Sequence, residues 1–310
     1  MSSLLEMRER LRNFYSKYEI YITPLFKFVL ALVSLMCING NIGYMDRLNN
    51  IIIVLVIALM CSFLPMNFIV LVSAGFVCAH LYTASLECGV VALAIFLLMF
   101  ILYFRFSPKD TVVVLLLPLC FIMKIPYVVP IAVGLMGTPA SVVSVGCGTV
   151  VYYLIQYIKV NASTISALEA DDGAVAKFRY VIDGILNNKE MLITIIAFAA
   201  VVIAVYLIRR TSVDHAWTIA MAVGAVLGVV VLLIGDLAYD THISIGLLIV
   251  GMVISLLIAK VLQFFCFNVD YSRTEYVQFE DDEYYYYVKA VPKNSVAQAK
   301  KKVKKITSVL

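Results

Sequence analysis

Long apolar runs recur along this chain, at about 20–38, 50–65, 66–82, 88–104, 140–158, 191–208, 217–235 and 243–266. A helix needs about 20 apolar residues to cross roughly 30 Å of hydrocarbon. A soluble core built from 310 residues could not hide so many runs of that kind. A bilayer can, because it is itself an apolar solvent. Composition agrees, with 63% of residues apolar and 14% charged and a mean hydropathy of +0.98. A soluble domain is about half apolar and about a quarter charged. The sequence therefore predicts an all-α polytopic membrane protein with about eight transmembrane helices.

Between the fourth and fifth runs the pattern breaks. Thr111–Met123 and Tyr127–Met136 are each too short to cross comfortably, and Lys124-Ile125-Pro126 separates them. Pro118, Pro126 and Pro130 interrupt regular helix, since proline lacks the N–H that a helix interior needs. The segment reads as broken helices or a re-entrant hairpin. Lys124 then lies at the tip, near the membrane interior; if both runs cross, it lies at the outer surface instead. A lysine at mid-bilayer costs about 2.5–3.5 kcal/mol, which demands a partner, a wet cavity or a route to the interface. Lys27, a turn or two inside the first span, can snorkel to the cytoplasm.

Lys/Arg placement sets orientation. The N-terminal segment, Arg105 with Lys109, Arg209-Arg210 and the lysine-rich C-terminus all fall on one side when spans are counted from a cytoplasmic N-terminus. A hairpin that returns to its own side preserves this count, and so do two extra crossings. The expected organisation is a cytoplasmic segment 1–19, a transmembrane domain 20–266 and a cytoplasmic tail 267–310, in the plasma membrane. The N-terminal residues are polar and mixed in charge, unlike a cleavable signal peptide. Loop 159–190 falls outside. Its apolar spacing at Val175, Phe178, Val181, Ile182 and Ile185 predicts a short amphipathic helix on the outer surface. In the tail, 273–291 is rich in aromatic and β-branched residues around Asp281-Asp282, which predicts a small β-hairpin. Beyond it, Lys300, Lys301, Lys302, Lys304 and Lys305 suit anionic lipid.

Three groups of residues could carry function. The first follows the broken hairpin: Gly134, Gly137, Thr138, Ser141, Gly146 and Gly148, with Lys124 before them. Glycine permits the unwound backbone that transporters use to coordinate substrates or ions. Ser141 begins a helix whose N-terminus would favour an anion. The competing reading is a tight packing seam of small residues. The second group is Asp236, Asp240 and His242 at the outer end of the seventh span, a cation site or simply an acidic helix end in water. The two aspartates are four apart and share a face if the helix continues. The third is the tail hairpin, with Phe279, Tyr284 and Tyr286 as partner-binding residues.

Signatures of zinc proteases, serine-hydrolase elbows and nucleotide-binding loops are absent. The seven cysteines form no CxxC pair, and no metal site or cofactor is expected. Nothing in the charge pattern points to nucleic acid. The wording of Arg105-Phe106-Ser107-Pro108-Lys109-Asp110, and of Tyr276 to Glu283 with the tyrosines after it, resembles a family of bacterial multi-span membrane proteins. The resemblance covers most of the chain and implies a membrane location. That family carries no assigned activity, so it transfers no functional residue. The expectation is a non-enzymatic, transporter-like protein or the membrane subunit of a transport complex. Its rival is a scaffold whose tail recruits a protein partner or a second copy.

Overall fold

The computed structural model describes residues 2–167, 173–241, 244–267, 269, 271 and 274–292. In chain order the helices are α1 (Ser2–Asn41), α2 (Ile51–Phe63), α3 (Met66–Ala84), α4 (Leu86–Phe106), α5 (Thr111–Ile122) and α6 (Val128–Met136). After a 3-10 turn at Pro139–Ser141 come α7 (Val142–Ala167), α8 (Gly173–Leu186), α9 (Lys189–Arg209), α10 (Ala216–Tyr239) and α11 (Ile245–Cys266). Two strands follow, β1 (Glu275–Glu280) and β2 (Tyr285–Ala290). The chain divides into two compact units, Ile20–Gln263 and Met1–Glu19 with Phe264–Leu310.

Among the described residues, seven helices are long and apolar enough to cross a membrane: α1, α3, α4, α7, α9, α10 and α11. Their outward faces carry large apolar side chains, with Leu237 83% and Ile101 72% exposed. Leaving such a side chain in water forfeits about 1.5–3 kcal/mol each, so this surface belongs in lipid. The chain is an integral, multi-pass membrane protein.

The expected second span is realised as the short helix α2, with 13 residues and a length of about 20 Å at 1.5 Å per residue. Asn50 caps its start by accepting from the Ile52 N–H at 2.9 Å. Pro65 follows its end and lacks the N–H to continue it. Lys27 Nζ donates to the Leu64 carbonyl at 3.1 Å, and Ser62 Oγ donates to the Pro24 carbonyl at 2.8 Å. Lys27 thus closes the C-terminus of α2, a role beyond the expected reach toward the interface.

The expected outer loop is more helical than its sequence indicated. α7 continues to Ala167, well past 158, and α8 supplies the amphipathic helix. α8 packs against α4 and α7. Val181 and Ile185 are buried while Ile182 faces outward. Tyr157 reaches from α7 to donate to the Tyr180 carbonyl at 3.2 Å. Tyr180 returns a bond to Asn161 Oδ1 at 3.1 Å. Glu169, Asp171 and Asp172 lie outside the described residues.

In the smaller unit, Arg8 donates from Nε and Nη2 to the Phe265 carbonyl at 3.2 and 3.0 Å. A cation there complements the negative end of a helix. β1 and β2 pair antiparallel in the register Phe279 opposite Tyr286, so the expected tail hairpin is present. The lysine cluster at 300–305 lies outside the described residues.

Candidate functional site

The arms of the broken segment start and finish at the same end of the helical unit. Ser107, just before α5, and Ser144, in the first turn of α7, share a buried hydroxyl hydrogen bond at 2.5 Å. Beside it, Tyr103 Oη lies 3.0 Å from Thr111 Oγ1 and donates to Asn67 Oδ1 at 3.1 Å; Thr111 also donates to Asn67. These bonds tie the last turn of α4 and the starts of α3, α5 and α7 into one polar layer. Arg209, the last residue of α9, joins from the other side. It donates from Nη1 to the Leu135 carbonyl, and from Nη2 to the Gly137 carbonyl at 2.7 Å. α6 ends there, so its last carbonyls lack helical partners, and Arg209 supplies them. Tyr206 steadies the guanidinium from 5.0 Å.

Between these fixed ends, α5 runs 12 residues and α6 only 9, about 18 and 14 Å. Lys124 makes the turn with a positive φ of 62°, a left-handed conformation uncommon for residues other than glycine. Its carbonyl meets α11 at Gly251, where a Cβ would lie 2.9 Å from that oxygen. Tyr127 stands edge-on to Phe198 at 6.1 Å, in the middle of α9. Phe121 stacks on Tyr152 at 4.3 Å, so aromatic rings hold both arms near the tip. The Lys124 side chain is exposed.

The glycines and hydroxyls singled out in the sequence fall into different settings. A Cβ at Gly134 would lie 2.6 Å from Val205 Cβ, and one at Gly148 3.0 Å from Leu117 Cβ. Both glycines let α6 approach α9 and α7 approach α5. Gly146 has open space around its Cα. Gly137 ends α6 in extended backbone. The Thr138 N–H donates to Ser141 Oγ at 3.2 Å, within a capping box. The helix start at Ser141, read as an anion site, already has that internal partner.

The acidic cluster is not a shared helical face. α10 stops at Tyr239, and Asp240 turns left-handed with φ 49°. Asp236 accepts from Thr241 Oγ1 at 2.8 Å, and His242 lies outside the described residues. His80 is fully buried; its Nδ1 accepts from the Met45 N–H at 3.1 Å, and Nε2 is 2.8 Å from Asn39 Oδ1. An accepting Nδ1 leaves Nε2 to carry the hydrogen.

In the tail, Phe279 and Tyr286 stack at 4.8 Å, with Tyr284 6.3 Å from Tyr286. Asp281 Oδ1 accepts from the N–H groups of Glu283 and Tyr284 at 2.9 and 2.7 Å, and Oδ2 from Tyr286 Oη at 2.8 Å. The Glu283 N–H, then the tyrosine hydroxyl and the Tyr284 N–H, hold the Asp281 carboxyl below its usual range. Three residues of this architecture escaped sequence reading in these roles: Arg209, Gly251 and Asn67. Arg209 had marked orientation only, and an asparagine opening an apolar run was the available signal for Asn67. Comparison with protein-family models, curated proteins and solved structures finds no match.

Proposed function

We propose that this chain is a non-enzymatic, transporter-like membrane protein, or the membrane subunit of a transport complex, with α5 and α6 forming a re-entrant hairpin. The observation that carries the reading is the common base of the hairpin. Ser107 bonds Ser144 across it, and Arg209 holds the last carbonyls of α6. Helices this short, turning at depth and returning, are the kind of broken element that transporters place around a substrate path. Both termini are proposed to be cytoplasmic, on the strength of the basic residues that flank the spans.

Cysteine substitution in whole cells tests this reading. Cysteines in 174–185 are expected to react with an impermeant reagent from outside, while a cysteine at 124 or at 295–305 stays unlabelled. A cysteine at 138 should react only when the cytoplasmic face is opened. Ready labelling at 124 from outside would mean two crossings and remove the main support for transport. Labelling of 295–305 from outside would reverse the orientation.

The exposed tail hairpin favours a second reading, a scaffold that recruits a protein. An isolated two-stranded hairpin is marginal in water, and nearly all residues of β1 and β2 are exposed. Amide exchange in native membranes should find 275–290 protected, and Phe279→Ser with Tyr286→Ser should abolish that protection. Unprotected amides in the intact protein would leave the tail a tether.

A further inference from the structure

The two faces of the tail hairpin differ in kind. The register sets Val277 opposite Val288 and Phe279 opposite Tyr286. Cross-strand partners, and residues two apart on a strand, share a face, so these four form one face, with Glu275 and Ala290 at its open end. Phe279 and Tyr286 stack across it. Tyr276, Gln278, Tyr285, Tyr287 and Lys289 occupy the other face, where hydroxyls, an amide and a cation suit water. The apolar face is nonetheless accessible, with Val277 46% and Phe279 52% exposed. A two-stranded sheet becomes stable when such a face packs against a helix or gains a further strand.

Charge says what that cover must carry. The turn presents four successive carboxylates, Glu280 to Glu283, all exposed. Asp281 spends both oxygens within the turn, and Glu280, Asp282 and Glu283 flank it. A second copy of the hairpin brings the same carboxylates and no counter-charge. The stretch 293–310 brings the opposite, six lysines and no Asp or Glu. Val296, Ala299, Val303, Ile306 and Leu310 recur there at alternate steps of three and four, the spacing that puts apolar residues on one side of a helix. Reach also fits. Residues 291–294 extend up to about 13 Å, enough to step from a sheet to a helix of about 10 Å diameter lying on it. The sixteen residues 295–310 would run about 24 Å as a helix, against about 20 Å for a six-residue strand. A helix started at 295 and run back along β2 brings Lys300, Lys301, Lys302, Lys304 and Lys305 toward the acidic turn.

We propose that residues 295–310, which lie outside the described residues, cover the Val277, Phe279, Tyr286 and Val288 face of the hairpin as a basic amphipathic helix. The inference rests on the docked hairpin of the second reading above and deepens it. A partner that uses Phe279 and Tyr286 must first displace this segment, so the tail's own lysines regulate access to its binding face.

The test is amide exchange on the full-length protein, both purified in an uncharged detergent and in native membranes. In each, 275–290 is expected to be protected. Removal of 295–310 should speed its exchange about tenfold or more, since protection follows the free energy of local opening. Replacing Lys300, Lys301, Lys302, Lys304 and Lys305 together by glutamine should give a smaller rise. The intact protein should show the same rise at high salt, which screens exposed charges. A second measurement keeps the full chain. In a Cys266→Ser background, Ala299→Cys should crosslink under oxidation with Val277→Cys, and far less with Gln278→Cys, one residue away on the other face. Protection that survives the truncation, or equal crosslinking at 277 and 278, would overturn the proposal and leave the hairpin docked on something else, as the second reading allows. Protection in membranes but not in the purified protein would overturn it in favour of a separate partner. Unprotected amides in both preparations would remove the second reading with it.

Discussion

Replacing Arg209 with leucine is expected to destabilise the helical unit by about 3 kcal/mol and to loosen the C-terminal end of α6. Its guanidinium holds two carbonyls, Leu135 and Gly137, at the point where α6 has run out of helical partners. Hydrogen bonds to a charged group contribute about 1.5–3 kcal/mol each. Release from burying the cation offsets part of the loss, since a buried charge carries its own desolvation cost. Leucine leaves the carbonyl of buried Leu135 unpaired, while that of half-buried Gly137 can turn to solvent. Lysine is a compact point charge with no fork; it can reach one carbonyl and should recover about half of the loss. The measurement is unfolding in mixed micelles, with labelling of a cysteine at 138 as a local readout. A leucine variant with unchanged unfolding and labelling would show that the clamp is ornamental and that the ends of the hairpin are fixed by α5 and α7 alone.

Arg209 also marks the limit of what the sequence could disclose. Hydropathy identified the membrane class because spans declare themselves by length and apolarity, which are local properties. The break at Lys124-Ile125-Pro126 was legible for the same reason, and the structure turns the chain there. The tail hairpin was visible in its β-branched and aromatic residues around an acidic pair. Partnerships across long stretches of chain were not legible. Nothing near Arg209 announces carbonyls more than seventy positions away, and nothing near Ser107 announces Ser144. Periodicity reports which face is buried, not what buries it. α8 is an example: its apolar face was predicted, but its docking on α4 and α7 was not. The two aspartates are a different case: their spacing puts them on one face only if the helix continues, and α10 ends between them.

A signal that was present and not used lies in α10. Gly224 and Gly228 are spaced as in close-packed membrane helix pairs, and the structure seats α9 against them. A Cβ at Gly228 would lie 3.2 Å from Val201 Cγ2, one at Gly224 would overlap Val205 Cγ2, and one at Gly235 would overlap Ile193. Small residues let the backbones close up, so van der Waals packing can replace the hydrophobic drive that lipid removes. The packing of α9 against α10 and of α6 against α9 therefore meets at one side chain.

That side chain is Val205, fully buried and wedged between Gly134 of α6 and Gly224 of α10. Its isopropyl group occupies the space that a methyl on either glycine would need. Gly134→Ala and Gly224→Ala are each expected to destabilise the protein by about 1–3 kcal/mol, the usual cost of overpacking. The backbone offers little relief at Gly134, because Val202 O also stands 3.2 Å from the new Cβ. Val205→Ala should cost about 2 kcal/mol through lost contacts and the cavity left behind. In that variant the methyl at 224 has room, because the atom it met was Cγ2, but the methyl at 134 still meets the Cβ that alanine keeps, 2.6 Å away. Gly224→Ala should then be nearly neutral, giving a coupling with Val205 of about 1–2 kcal/mol in a double-mutant cycle, while Gly134→Ala should keep most of its cost. Unfolding in mixed micelles provides all the required free energies. Strict additivity at Gly224 would mean that the Val205 side chain does not space α10 from α9. Coupling at Gly224 without comparable coupling at Gly134 would show that the Val205 Cγ atoms space α10 from α9, while α9's main chain and the Cβ it carries set the distance to α6, four helices before α10 in the chain.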